Sequence, residues 1–113
     1  MSWVPGRLGS GYFKFPLASA SLFGYGFDSF ILKMPQGSEI NLHTDPAIFG
    51  KRHFRINFVY LEARSGGHFI VVRNNASTCN DTRLNIFRPD IEEHKVSRVN
   101  EGTRYALSIG FSI

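Results

Sequence analysis

The chain has 113 residues, enough for one domain, expected to span residues 1–113. Lys and Arg outnumber Asp and Glu by 13 to 9, giving a formal charge of +4, while 42% of residues are hydrophobic and 19% charged. That balance excludes an acidic disordered tail or polar linker, and no apolar run approaches the roughly 20 residues of a membrane helix.

The N-terminal Met1-Ser2-Trp3-Val4-Pro5-Gly6-Arg7 lacks the apolar stretch of a secretion signal. The single cysteine, Cys79, rules out an intrachain disulfide and a cysteine-rich zinc site. A reducing, cytoplasmic setting is the expectation. The cluster Lys51-Arg52-His53-Phe54-Arg55 is the one dense basic stretch. It is expected to be a solvated loop and strand start rather than a nucleic-acid stripe.

Helical periodicity is almost absent, whereas Phe, Ile, Val, Tyr and Thr alternate between Gly and Pro breaks, which favours strands. In chain order, strands are expected at Tyr12–Leu17, Phe27–Met34, Glu39–His43, Phe54–Glu62, Gly67–Arg73, Arg83–Phe87, His94–Val99 and Thr103–Ser112. Two stretches are expected to be loops: Ala18–Gly26, rich in Ser, Gly and Phe, and the polar Asn74–Thr82. Residues 1–26 as a whole look loop-rich. About eight short strands with little helix imply an all-β double-stranded β-helix, a cupin-like jelly roll.

His43-Thr44-Asp45 ends the third of these strands, directly before Pro46. Residues i and i+2 of an extended chain point the same way, so an imidazole and a carboxylate can address one point. Two ligands hold a metal poorly. A second His completes the two-His, one-carboxylate set that leaves three positions open on a non-haem iron. His94, at a strand start, is the best third ligand. His53 sits among cations and His68 has no acidic neighbour, so both are weaker. Val99–Thr103 looks like a hairpin loop with Gly102 in the left-handed position. If Val99 pairs with Thr103, His94 pairs with Ser108, and Arg104 shares their face about four residues, or roughly 13 Å, away. A diacid chelating the metal at one end could reach Arg104 with the other. That register also places Arg98 on the same face.

These residues resemble the 2-oxoglutarate- and Fe(II)-dependent oxygenase superfamily, in its prolyl 4-hydroxylase-like branch. The resemblance is carried by Gly37–Asp45, Val59-Tyr60-Leu61-Glu62 with Gly66-Gly67, Glu93-His94-Lys95-Val96 and Gly102–Ser108. It implies that His43, Asp45 and His94 hold Fe(II) as the catalytic metal site. It further implies that Arg104 binds the distal carboxylate of 2-oxoglutarate with help from the Tyr60 hydroxyl, and that Ser108 is a neighbour in the same pocket. The implied activity is a dioxygenase consuming O2 and 2-oxoglutarate, with ascorbate as an accessory reductant, to hydroxylate a substrate such as a peptidyl proline. A peptide partner is favoured over a nucleic acid, and no membrane partner is expected. The chain departs from the branch in two places. Ile40 stands where many members have Tyr, and the helices that usually buttress the major sheet have no counterpart before Phe27, which would leave a sheet face open to association. The alternative is a non-enzymatic jelly-roll module with a vestigial or structural metal site.

Overall fold

A computed structural model describes residues 3–5, 11–22, 25–45, 51–73, 76–80 and 83–113, the residues 22, 73 and 76–80 through their backbone only. The expected turn at Asn74-Asn75, residues 81–82 of the expected Asn74–Thr82 loop, and Pro46 lie outside the described residues.

Twelve strands and no helix occur among the described residues: β1 (Val4–Pro5), β2 (Phe13–Leu22), β3 (Tyr25–Met34), β4 (Ile40–His43), β5 (His53–Leu61), β6 (Ser65–Gly66), β7 (Phe69–Arg73), β8 (Ala76–Asn80), β9 (Leu84–Phe87), β10 (His94–Val96), β11 (Val99–Glu101) and β12 (Arg104–Ser112). No described helix is long and apolar enough to cross a membrane. A major sheet runs β1-β2-β3-β12-β5-β9, a minor one β4-β10-β7-β8, and β11 pairs with β6 in a small third sheet. Every pairing is antiparallel. The four strands β3, β12, β5 and β9 face the four of the minor sheet, which is the jelly roll that the strand count implies.

Period-2 alternation builds the space between the sheets. Along β12, Arg104, Ala106, Ser108 and Gly110 are buried while Tyr105, Leu107, Ile109 and Phe111 point outward. Along β5, His53, Arg55, Asn57 and Val59 point inward. The apolar part of the interior, including Leu32, Met34, Ile40, Val59, Phe69, Val71, Phe87, Val96 and Val99, closes one region of the sandwich. The other region is polar.

Three expectations are corrected. Ala18–Gly26 is not a loop: β2 continues to Leu22 and β3 begins at Tyr25 as its antiparallel partner. Small Ser and Ala residues look like a loop in the sequence, yet they pair here with Ser29, Asp28 and Phe27. A bulge between Pro16 and Ala18 admits a proline, which has no N–H for the ladder. Residues 76–80 form β8, paired with β7 at the sheet edge, where polar side chains are tolerated on both faces. The hairpin between His94–Val99 and Thr103–Ser112 does not form. β10 pairs with β4 and β7, whereas β12 pairs with β3 and β5 in the opposite sheet. Gly102 does adopt the left-handed conformation, φ 82°. It turns the chain between β11, which pairs with β6, and β12, which enters the major sheet, and Val96 and Val99, both buried, anchor the segment before it. Arg98, placed by that hairpin on the inner face, is exposed instead.

One inward row explains a glycine. Gly110 lies between Asp28 on β3 and Arg55 on β5. The Arg55 Nη2 reaches across it to both oxygens of Asp28, at 2.8 and 3.0 Å. A Cβ on Gly110 would collide with both partners. Gly110→Ala should therefore destabilise the fold by about 1–3 kcal/mol, the usual cost of overpacking. In Asp28→Ala the same change should cost less, since half of the obstruction is gone. Urea unfolding of the two single variants and the double variant measures this coupling, and strict additivity would show that Gly110 has another role.

Candidate metal centre and cosubstrate cavity

His43 closes β4 and His94 opens β10, and the two are direct cross-strand partners. Asp45 follows two residues after His43. One ligand atom from each of His43, Asp45 and His94 lies within 4.8 Å of the others, a group able to hold a metal ion. The Asp45 Oδ2 is 3.4 Å from His43 Nε2 and 3.3 Å from His94 Nε2, and the two imidazole rings are 4.3 Å apart between centroids.

The backbone sets the tautomers. His43 Nδ1 is 2.6 Å from the Asn41 carbonyl, and His94 Nδ1 is 2.9 Å from the Glu92 carbonyl. A carbonyl only accepts, so each Nδ1 carries the proton and donates it. Both Nε2 atoms then face one carboxylate oxygen, where a proton on an imidazole or a bound cation joins them. Burial alone would raise the Asp45 carboxyl, but the hydrogen bonds and charge of His43 and His94 outweigh it and hold the group well below the usual carboxylate range.

A turn absent from the sequence-derived ligand set supports two of these residues. In Arg88-Pro89-Asp90-Ile91-Glu92, the Pro89 carbonyl accepts the Asp45 N–H at 2.6 Å, and the Glu92 carbonyl takes the His94 Nδ1–H. Arg88 locks the turn: its guanidinium donates to Asp90 at 2.6 and 3.2 Å, and its own N–H donates to Glu92 Oε1 at 2.7 Å. Burial pushes the Asp90 carboxyl up, yet the bonds from Arg88 and from backbone N–H groups more than reverse that and lower it. The sequence signal was Pro flanked by a basic and an acidic residue two positions apart, visible only as a turn. His53, weighed as a competing ligand, is buried beside the site, its Nδ1 3.2 Å from the Asp45 carbonyl and its Nε2 against Arg55. His68 is exposed.

The triad opens into a cavity of about 200 Å³ between the two sheets. Tyr12, Leu32, Ile40, Phe69, Phe87 and Val96 form its apolar wall, with Phe87 edge-on to His94 at 4.9 Å. The opposite wall is polar. Arg55 donates to Ser108 Oγ at 2.7 Å, and that hydroxyl donates onward to Asn57 Oδ1 at 2.6 Å. Arg104 also lines the cavity, only 3% exposed. Its Nη1 meets the Met34 sulfur at 3.6 Å, and no carboxylate stands within ion-pair distance among the described residues. Burial lowers its pKa to about 10, partly offset by the charge of Glu62. Arg104 is thus a buried cation facing a cavity with only a thioether for company.

His43, Asp45, His94, Arg104 and Ser108 all line this one cavity. The first expectation placed His94 and Ser108 as neighbours on one ladder, but they face each other from opposite sheets. Ser108 is engaged by Arg55 and Asn57. Tyr60 is a correction. It falls on the outward parity of β5, is 43% exposed, and stacks on Tyr105 with ring centroids 5.9 Å apart. Val59 takes the inward position. The phenol that does line the cavity is Tyr12, which no sequence pattern marked. Cys79 belongs to β8, and its side chain lies outside the described residues.

Asp45→Ala should weaken binding of Fe(II), or of Mn(II) as an air-stable probe, by more than about 100-fold, beyond the 10–100-fold expected for a residue that only orients a ligand. Arg88→Ala, which frees the supporting turn, should fall within that lower range. Anaerobic calorimetric titration checks both, and unchanged affinity in Asp45→Ala would place the ion elsewhere.

No family model and no curated protein matches the sequence. Solved structures do. An oxidoreductase of the 2OG-Fe(II) oxygenase family from Burkholderia pseudomallei superposes with a TM-score of 0.64 at 23% identity, over 78% of this chain and 45% of its own. A prolyl-4-hydroxylase from Pseudomonas putida gives 0.77 at 13% identity, over 97% of this chain and 76% of its own. The Cnp3 cupin domain of Schizosaccharomyces pombe gives 0.62 at 11% identity, over all of this chain and 69% of its own. The chain therefore spans about half the length of the Burkholderia protein. These likenesses agree with the observed topology, and the chain has the cupin-like jelly-roll fold shared by 2-oxoglutarate oxygenases.

Proposed function

We propose that the protein is a non-haem Fe(II)- and 2-oxoglutarate-dependent dioxygenase that hydroxylates its substrate, with a peptidyl residue such as proline as the favoured class. The observation that carries this reading is Arg104, a buried guanidinium with no carboxylate at ion-pair distance among the described residues, in the same cavity as the two-His, one-carboxylate group. Burying a charge unpaired is costly, and a cavity that keeps one is built for an anion. The metal group asks for a chelator and Arg104 for a carboxylate, and a small dicarboxylate with an oxo group beside one end supplies both.

The donor set fits Fe(II): two neutral imidazole nitrogens and one carboxylate on one side, with the remaining positions open. Bound there, the metal would supply O2 activation coupled to decarboxylation of 2-oxoglutarate to succinate, with ascorbate as accessory reductant. The chain's own part is positional. Asn41 and Glu92 carbonyls orient the imidazoles, and Pro89 fixes Asp45. The Arg104 fork would take the distal carboxylate in two parallel hydrogen bonds. Phe69, Phe87, Ile40 and Val96 line the cavity with apolar surface, Phe69 and Phe87 beside His94, which lowers the local polarity and strengthens electrostatic contacts made there. A peptide substrate and a cytoplasmic location belong to this proposal as its least constrained parts. The metal-binding module without turnover is the rival, and it would bind Fe(II) and 2-oxoglutarate yet release no succinate.

The test is succinate release from 2-oxoglutarate with Fe(II), O2 and ascorbate, with and without proline-containing peptides, alongside anaerobic titration of 2-oxoglutarate. Arg104→Ala should lose roughly 3–5 kcal/mol of binding, or two to three orders of magnitude in affinity. Arg104→Lys should recover part of it, keeping the charge and losing the fork. Wild-type affinity in Arg104→Ala would overturn the assignment of the cosubstrate.

A further inference from the structure

β4 ends at His43, so Asp45 lies just past the last residue that the ladder to β10 holds. Groups from distant parts of the chain grip its peptide units instead. The Pro89 carbonyl accepts its N–H at 2.6 Å, and the His53 Nδ1 lies 3.2 Å from its carbonyl. A carbonyl only accepts, so His53 donates there through a proton on Nδ1. The other ring nitrogen agrees. Arg55 Nη2, which only donates, stands 3.3 Å from His53 Nε2, so that nitrogen offers its lone pair. Arg55 is itself fixed, by Ser108 Oγ at 2.7 Å and by Asp28 at 2.8 and 3.0 Å. His53 is thereby held in one tautomer. Its backbone closes a circuit, because its N–H donates to the Asp90 carboxylate, which Arg88 also grips. Asp90 directly follows Pro89, so the groups on the two sides of Asp45 belong to one connected unit.

We propose that His53 is a positioning residue of the metal centre, completing with Pro89 a clamp that fixes the Asp45 backbone and so aims its carboxylate between His43 and His94. This role rests on the metal centre described above and adds a residue outside the ligand set. The two imidazoles are aimed by their cross-strand pairing and by carbonyls on Nδ1. Asp45 stands beyond that ladder, and the clamp supplies what the ladder does not. Its side chain is short, so with the peptide units on both sides held, only two side-chain torsions remain to place Oδ2. Outer groups that orient ligands in this way are worth about 10–100-fold in metal affinity. Arg55 has a second effect on the same ring. His53 lines the cavity with a nitrogen of the kind that ligates metals, and Arg55 occupies that lone pair. The centre is left with two imidazoles and one carboxylate, the set that keeps positions open for other ligands.

Calorimetric titration of Mn(II) into the full chain and its His53 variants tests the clamp. His53→Phe keeps a ring and loses the donor, and should weaken Mn(II) binding about 10–100-fold. His53→Asn places an amide N–H where the Nδ1–H stood, and should recover most of that loss. A ring that served packing alone would leave Asn no better than Phe. The absorption bands of bound Co(II) follow ligand geometry, so they should shift in His53→Phe and return in His53→Asn. Imidazole nitrogen NMR of the unmodified protein needs no variant to fold, and should show His53 with its proton on Nδ1 and a bare Nε2. Wild-type affinity and an unchanged Co(II) spectrum in His53→Phe overturn the proposal. So does an Asn variant that binds no tighter than Phe, and so does a proton found on Nε2. A wild-type protein that binds neither Mn(II) nor Co(II) overturns the metal centre itself, and this role with it.

Discussion

Two imidazole nitrogens and one carboxylate oxygen held within a few ångström of one another organise this molecule. The Asp45 Oδ2 lies 3.3–3.4 Å from two imidazole nitrogens whose N–H groups are turned outward to carbonyls. A proton or a cation can join these atoms, and contacts from the surrounding backbone hold them in place for either. The β4–β10 pairing sets the two histidines opposite each other, the Arg88–Glu92 turn ties Asp45 and His94 to adjacent carbonyls, and His53 adds a contact to the Asp45 backbone. Preorganisation of this kind is what allows a metal site to bind without first paying to order its ligands.

The two sheets divide the chemistry. The minor sheet, with Asp45 just past β4, carries the candidate metal ligands and the turn after β9 braces them, while β12 and β5 of the major sheet carry Arg104 and the Arg55–Ser108–Asn57 chain. The cavity exists because the two sheets part between these groups, with aromatic rings closing one side. Arg55 is the contrast to Arg104. Both are buried on inward positions of neighbouring strands, but Arg55 is fully engaged by Asp28, Ser108 and His53, and the loss of a side chain at Gly110 makes that engagement possible. Among the described residues Arg104 has no such carboxylate partner, and this asymmetry is what the proposed cosubstrate site rests on.

Polarity inside and apolar rings outside on the major sheet have one origin. A strand alternates faces, so a face given over to polar site residues leaves the other to carry the β-forming aromatics and branched residues that hold the sheet together. Site and outer surface are therefore two sides of the same strands, and substitution on β12 or β5 reaches one or the other by parity alone.

The residue alphabet and its spacing were enough for the fold class and for setting His43 and Asp45 toward one point, because strand periodicity is a local property. Pairing was not local. His94 and Arg104 lie ten residues apart, and a hairpin between them is the nearest solution in sequence, yet β10 joins the minor sheet and β12 the major one, which sets the two residues on facing walls. The Ser- and Ala-rich residues of β2 and the polar residues of β8 take strand form only because a neighbour offers a ladder. Tyr60 lies one position from an inward Val59, and parity within a strand is decided by which face the folded sheet buries. The turn that braces Asp45 and His94, and the glycine that lets Arg55 meet Asp28, act through contacts between residues far apart in the chain, which only the tertiary structure brings together.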